Sequence, residues 1–208
     1  MRATGKRQSD LLLLDAVDIF NADCIPYAVV GGFAAAVYGV DRGTKDMDVI
    51  LQVALPDLPQ LVSRLKQAGF AATLRQGGFD DPIAAVVDLK DAYKNCVEIL
   101  VGIKGLPTDA FSRAIEIPYC GSTLRVVGCE DFLAMKLAAG GPKDLLDVDE
   151  ALKINPSFNE QLLRELVRGY GKEVARRLDL AVERLERAGV PGATVPGAEN
   201  DDPQDLGR

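Results

Sequence analysis

The chain has 208 residues, 48% of them hydrophobic and 26% charged, with a net charge of −7 at neutral pH. This fits a globular protein with one good core and room for a small second lobe. The acidic balance argues against a protein that coats nucleic acid, though not against a local basic groove or a nucleic-acid end as substrate. Histidine is absent from the sequence, which removes the commonest general base and every Ser-His or Cys-His arrangement. Catalysis here would have to run on carboxylates, lysine, arginine, hydroxyls and bound cations.

Basic residues Arg2, Lys6 and Arg7 precede the apolar run Leu11–Leu14, but Asp10 and Asp15 bracket it, so no secretory h-region forms. No stretch approaches the roughly 18–20 apolar residues of a membrane span, and the expectation is a cytoplasmic protein. The four cysteines (Cys24, Cys96, Cys120, Cys129) include no C-x-x-C pair and read as structural thiols rather than zinc ligands or disulfides.

In chain order, Ser9 and Asp10 open a helix reaching about Ala22. Tyr27–Val30 reads as a strand ending at Gly31-Gly32, followed by a short alanine-rich helix Phe33–Tyr38. A second strand is expected over Asp46–Val53, a helix over Pro56–Ala68 closed by Gly69, and a strand over Phe70–Leu74. Ile83–Leu89 and Cys96–Val101 form a hairpin, Pro107–Arg113 a helical turn, and Ala114–Tyr119 with Thr123–Val127 a further strand pair. Four helices then follow, over Glu130–Ala139, Lys143–Ile154, Phe158–Tyr170 and Lys172–Ala188. The stretch Gly189–Arg208, rich in Gly, Pro and acid, reads as a disordered tail. The fold class is thus α/β (α+β): a mixed N-terminal lobe over 1–128 and a helical C-terminal lobe over 129–188, with 189–208 as tail.

The chemistry concentrates between Val30 and Ile50. A strand running through Gly31-Gly32 into a helix exposes backbone N–H groups to which a phosphate can come close; the same pair is equally a tight turn needing positive φ. Asp46 and Asp48, two apart on a strand, project to one face, with Met47, Val49 and Leu51 turned into a core. Two adjacent carboxylates repel unless something positive lies between them. Hard oxygen ligands suit Mg²⁺ or Mn²⁺, while a solvent-facing edge would leave the pair merely hydrated. A third acid interrupts the apolar strand Cys96–Val101 at Glu98, and Asp88, which interrupts Ile83–Leu89, competes with it for the same role.

Gly31-Gly32, thirteen intervening residues, then Asp46-Met47-Asp48 resembles the signature of the nucleotidyltransferase superfamily that includes DNA polymerase β. The run Arg42-Gly43-Thr44-Lys45-Asp46-Met47-Asp48 is similar to the R-x-T-x-D-x-D of bacterial minimal nucleotidyltransferases, among them AbiEii-like abortive-infection toxins. Lys136-Leu137-Ala138-Ala139 with Lys143-Asp144-Leu145-Leu146-Asp147 resembles a texture of the same proteins. The resemblance implies a nucleotidyltransferase-fold mixed sheet with flanking helices and transfer of a nucleoside monophosphate from a triphosphate, releasing pyrophosphate. It implies that Gly31 and Gly32 hold the triphosphate and that Asp46, Asp48 and Glu98 are the catalytic, metal-ligating acids. The family's third acid is most often Asp. Arg42 and Thr44 would contact phosphate or pin their loop. Lys136 would reach the triphosphate or extend its head to solvent. Asp144 and Asp147, at i and i+3, would be structural partners of Arg42 or Lys136. Arg164, Arg168, Lys172, Arg176 and Arg177, interspersed with acids, read as a solvated helical face. Possible acceptors are an RNA end, a protein hydroxyl or an aminoglycoside-like small molecule. A toxin role would add an antitoxin partner, and a non-catalytic nucleotide-binding module is the alternative.

Overall fold

Short apolar runs bounded by turn residues mark most of the strands, and the computed structural model, which describes residues 1–41, 43, 46–187 and 189, shows how they join. The sequence expectations at Arg42, Thr44 and the tail beyond Gly189 lie outside the described residues. The strands are β1 (Tyr27–Val30), β2 (Met47–Leu51), β3 (Ala71–Gln76), β4 (Ile83–Lys90), β5 (Cys96–Ile103), β6 (Ile115–Tyr119) and β7 (Ser122–Val126). They form one sheet in the order β3-β4-β5-β2-β1-β7-β6. The β2–β5 and β1–β7 pairs are parallel and the other four antiparallel. The fold is a mixed seven-stranded sheet with flanking helices.

Helix α1 (Ser9–Ala22) buries Leu12, Leu13, Ala16 and Phe20 and packs on β5, β2 and β7. The strongly amphipathic α3 (Leu58–Gln67) lays Leu58, Leu61 and Leu65 inward beside β3. These helices cover one face of the sheet's β3-β4-β5 half, where Val87, Leu89, Val97 and Ile99 are fully buried. The opposite face, carrying Val86, Asp88, Glu98 and Leu100, is only partly covered.

The short α2 (Gly31–Val37) follows β1 directly. The two glycines, expected ahead of this helix, form its first turn, and Gly31 takes φ +65°. Helices α4 (Cys129–Ala139), α5 (Pro142–Ile154), α6 (Glu160–Tyr170) and α7 (Lys172–Arg187) pack on one another. Their buried apolar residues join those of the sheet in one connected cluster. Tyr38, just after α2, stacks obliquely on Phe132 of α4 at 5.3 Å and donates its hydroxyl to the Val127 carbonyl at 2.6 Å. α2 is thereby tied to both the sheet and the helices.

Two sequence expectations are corrected here. Arg177 is not simply solvated: its guanidinium donates to the carbonyls of Leu137 (2.7 Å) and Ala138 (3.2 Å) at the end of α4. Gly140, at φ +64°, terminates α4 beneath it, and any side chain there would collide with Arg177. Cys24 and Cys120, read as structural thiols, are exposed turn residues with positive φ, and the described cysteines are all free. Burial does push the Cys129 thiol up to about 12.

Candidate active site

Register brings the acids together. Asp48 on β2 is paired with Glu98 on β5, and Glu98 is paired in turn with Asp88 on β4. Paired residues on neighbouring strands share a face, so three carboxylates stand in one row across the sheet. The row continues to Val30 at the end of β1, immediately before the glycines. Asp46 precedes β2 rather than lying within it, and is exposed; Met47, Val49 and Leu51 are buried as the alternation requires.

A cleft of about 380 Å³ is lined by Asp46, Met47, Asp48, Cys96 and Glu98. Asp88 lies one strand further out and does not line it. Its carboxylate takes both prongs of the Arg75 guanidinium, at 2.6 and 2.8 Å, and this hydrogen bonding holds Asp88 below the ordinary carboxylate range. The same Arg75 also donates to Glu98 Oε1 at 3.2 Å. Burial pushes the Cys96 thiol up; Lys90 opposes this, and Asp88, Glu98 and Asp46 reinforce it. Beyond the acids, Ile50 and Leu100 lead into an apolar groove of about 290 Å³ that Leu106 and Phe111 help to line.

Gly31 serves Asp48 directly. A Cβ at position 31 would collide with the Asp48 carboxylate, and φ +65° already disfavours any other residue there. The glycine turn and the second aspartate are therefore one packing unit. Gly32 is buried in the first turn of α2.

Lys136 is not among the residues that line this cleft. Its ammonium is buried between Asp144 (2.6 Å) and Asp147 (2.8 Å), 6.0 Å from the centre of the Phe132 ring. It does not extend to solvent, because a lysine stem on the apolar side of α4 meets two carboxylates of α5 before it meets water. Asp144 and Asp147 are its partners.

Carboxylate oxygens are the donor type for a hard divalent cation, and the missing Cβ of Gly31 leaves the Asp48 carboxylate its room on that side. The fit is one of donor chemistry and a shared cleft. Among the described residues, no three His, Cys, Asp or Glu side chains are already gathered into a cage.

No protein-family model matches the sequence, and no curated protein does. Solved structures do. An antigenic nucleotidyltransferase-like protein from Paracoccidioides brasiliensis aligns with a TM-score of 0.59 at 16% identity, over 89% of this chain and 93% of its own. The crystal structure of ANT(2'')-Ia in complex with adenylyl-2''-tobramycin aligns at 0.52 and 13% identity, over 77% and 95%. The solution structure of the antibiotic-resistance factor ANT(2'')-Ia also aligns at 0.52, with 15% identity, over 90% and 100%. The chain has the nucleotidyltransferase fold. At these identities the nucleotidyltransferase likeness is one of architecture, and the site rests on this chain's own residues. Among the described residues, no helix is long and apolar enough to cross a membrane.

Proposed function

We propose that this protein is a nucleotidyltransferase that moves a nucleoside monophosphate from a nucleoside triphosphate to an acceptor hydroxyl or phosphate, releasing pyrophosphate. The observation that carries this reading is the union of two sequence-distant features. Asp48 packs against Gly31, and Glu98 stands beside it in register, on the fold that the nucleotidyltransferase neighbours share.

Asp46 and Asp48 would hold Mg²⁺ or Mn²⁺, with Glu98 as the third acid. The bound cations would supply charge neutralisation at the phosphates and a lowered pKa for the attacking hydroxyl. Gly31 and Gly32 let a triphosphate come close to the main chain on the β1 side of Asp48. In-line displacement puts the acceptor opposite the leaving group, hence on the β5 side, over Glu98 and the partly covered sheet face. Glu98 orients the acceptor hydroxyl there. Lys136 serves as a strut between α4 and α5, a role supported by its two carboxylate partners. The helices from residue 129 onward would form a helical C-terminal lobe beside a core spanning 1–128, joined to it through Tyr38 and Phe132.

The carboxylate row favours a cationic small molecule as acceptor, and a structural neighbour was solved with an adenylylated aminoglycoside. The likeness of residues 42–48 to AbiEii-like toxins supports a macromolecular acceptor with an antitoxin partner instead. One experiment separates them: each α-labelled nucleoside triphosphate is incubated with Mg²⁺ or Mn²⁺ and the protein, against aminoglycosides, pooled RNA and pooled protein. Label should move to an aminoglycoside, and Asp48→Ala should abolish the transfer. Metal-dependent nucleotide binding without transfer to any acceptor would instead identify a non-catalytic binding module.

A further inference from the structure

We propose that Arg75 is a positioning residue that holds Glu98 on the acceptor side of the cleft and competes with a divalent cation for its carboxylate. The inference rests on the metal-dependent reading above. Arg75 sits on β3, the edge strand, paired with Val86 two residues along from the Thr73–Asp88–Glu98–Asp48 row and hence on the same face. Its fork reaches back over Asp88 with two bonds and continues to Glu98 Oε1 with one. Adjacent strands are about 4.8 Å apart, so the row sets like charges side by side, an arrangement that is destabilising without a counter-charge.

Arg75 supplies that counter-charge to two of the three acids. Its side chain is 54% exposed and that of Glu98 is 44% exposed, and ion pairs so open to water contribute little to stability. The effect of this pair lies instead in where it leaves the Glu98 carboxylate. The oxygen that accepts from Arg75 is one of the two through which Glu98 could bind a cation. Lys90 stands on the same face, one step further along β4, where it pairs with Cys96. Its point charge lacks the planar fork that fixes a carboxylate in orientation.

Charge and orientation make opposite demands, and that separates this role from a structural one. Arg75→Met removes a positive charge from beside the site, so Mn²⁺ should bind several-fold more tightly to the nucleotide-free protein at low ionic strength. It also frees the Glu98 rotamer, so turnover should fall by roughly ten- to hundredfold, as when partners of metal-site residues are removed. Asp88→Asn removes a negative charge and weakens the hold of residue 88 on Arg75, leaving more of the guanidinium to Glu98, and Mn²⁺ should then bind several-fold more weakly. The double variant Arg75→Met/Asp88→Asn has the wild-type net charge. Its Mn²⁺ affinity should return toward wild type while turnover stays low, because Arg75 no longer holds Glu98.

The experiment is Mn²⁺ titration of the full chain followed by electron paramagnetic resonance, together with turnover and melting temperature for all four proteins. Wild-type values for Arg75→Met in both assays would overturn the proposal. So would a joint loss of affinity, turnover and melting temperature, or full recovery of turnover in the double variant. Equal Mn²⁺ binding by wild type and Asp48→Ala would fault the carboxylate site itself, an outcome distinct from any Arg75 result, and the proposal would fall with it.

Discussion

Replacing Gly31 with alanine tests the link between the glycine turn and the acids more sharply than deleting an acid does. Two costs meet at this position. The backbone is at φ +65°, where an L-residue pays about 1–2 kcal/mol. The new methyl group would also collide with the Asp48 carboxylate, which must move away. Gly121 separates the two costs, since it has φ +73° and nothing within 4 Å of a Cβ. Gly121→Ala should therefore pay only the backbone strain, lowering the melting temperature by about 2–8 °C at roughly 2–4 °C per kcal/mol for a chain of this size, with full activity. Gly31→Ala should melt lower still. Its transfer activity should fall on the order of 10²-fold, the cost of misplacing a reacting group by about 1 Å. The assays are thermal melts and label transfer on both variants, with Mn²⁺ titration to show that the loss lies at the metal-binding acids. Equal melting temperatures with full activity in Gly31→Ala would refute the reasoning, because Asp48 would then not be seated against residue 31.

Lys136→Met should strip two carboxylates, one of them 5% exposed, of their cation and cost about 3–5 kcal/mol in urea unfolding. An unchanged midpoint with a raised KM for the triphosphate would instead make Lys136 a nucleotide contact. Arg113→Ala should be of similar severity, since its partner Asp131 is 1% exposed and bonded at 2.7 and 2.8 Å; an equally stable variant would show the pair to be replaceable by water. Acid should reveal Asp88. Its folded pKa lies below its unfolded one, so its stabilising contribution is complete above the unfolded value and is lost as pH falls through the folded value. Below about pH 4 the wild type should therefore lose stability more steeply than Asp88→Asn, measured by urea midpoint against pH.

Residue type alone marked out much of this site. A Gly-Gly turn after a strand and two acids two apart survive any uncertainty in element boundaries, and an acid inside Cys96–Val101 stands out because such strands rarely hold one. What remained hidden depends on register. Asp88 and Glu98 interrupt their strands in the same way, and only the pairing of β4, β5 and β2 sets one in the cleft and the other outside it. Arg75 was invisible for a related reason. The strand expected to end at Leu74 runs on to Gln76 because β4 offers it partners as far as Ala85. The contact of Gly31 with Asp48 could not be foreseen, since it spans seventeen positions of sequence and depends on β1 and β2 running antiparallel. Arg177, read as a surface charge, caps a helix forty residues away, a partnership that helical periodicity does not encode.

The strand order has a consequence for the kinetics of local opening. Backbone amides at the middle of a sheet exchange with solvent only through large unfolding events, whereas those of an edge strand exchange through fraying. Asp48 is on β2, flanked on both sides, while Arg75 is on β3, at the margin. The candidate ligand is thus anchored where exchange should be slowest, and the arginine bonded to Glu98 is on a strand that should fray while the ligand strands stay paired. Warming should therefore release Glu98 from Arg75 well before it disturbs Asp48.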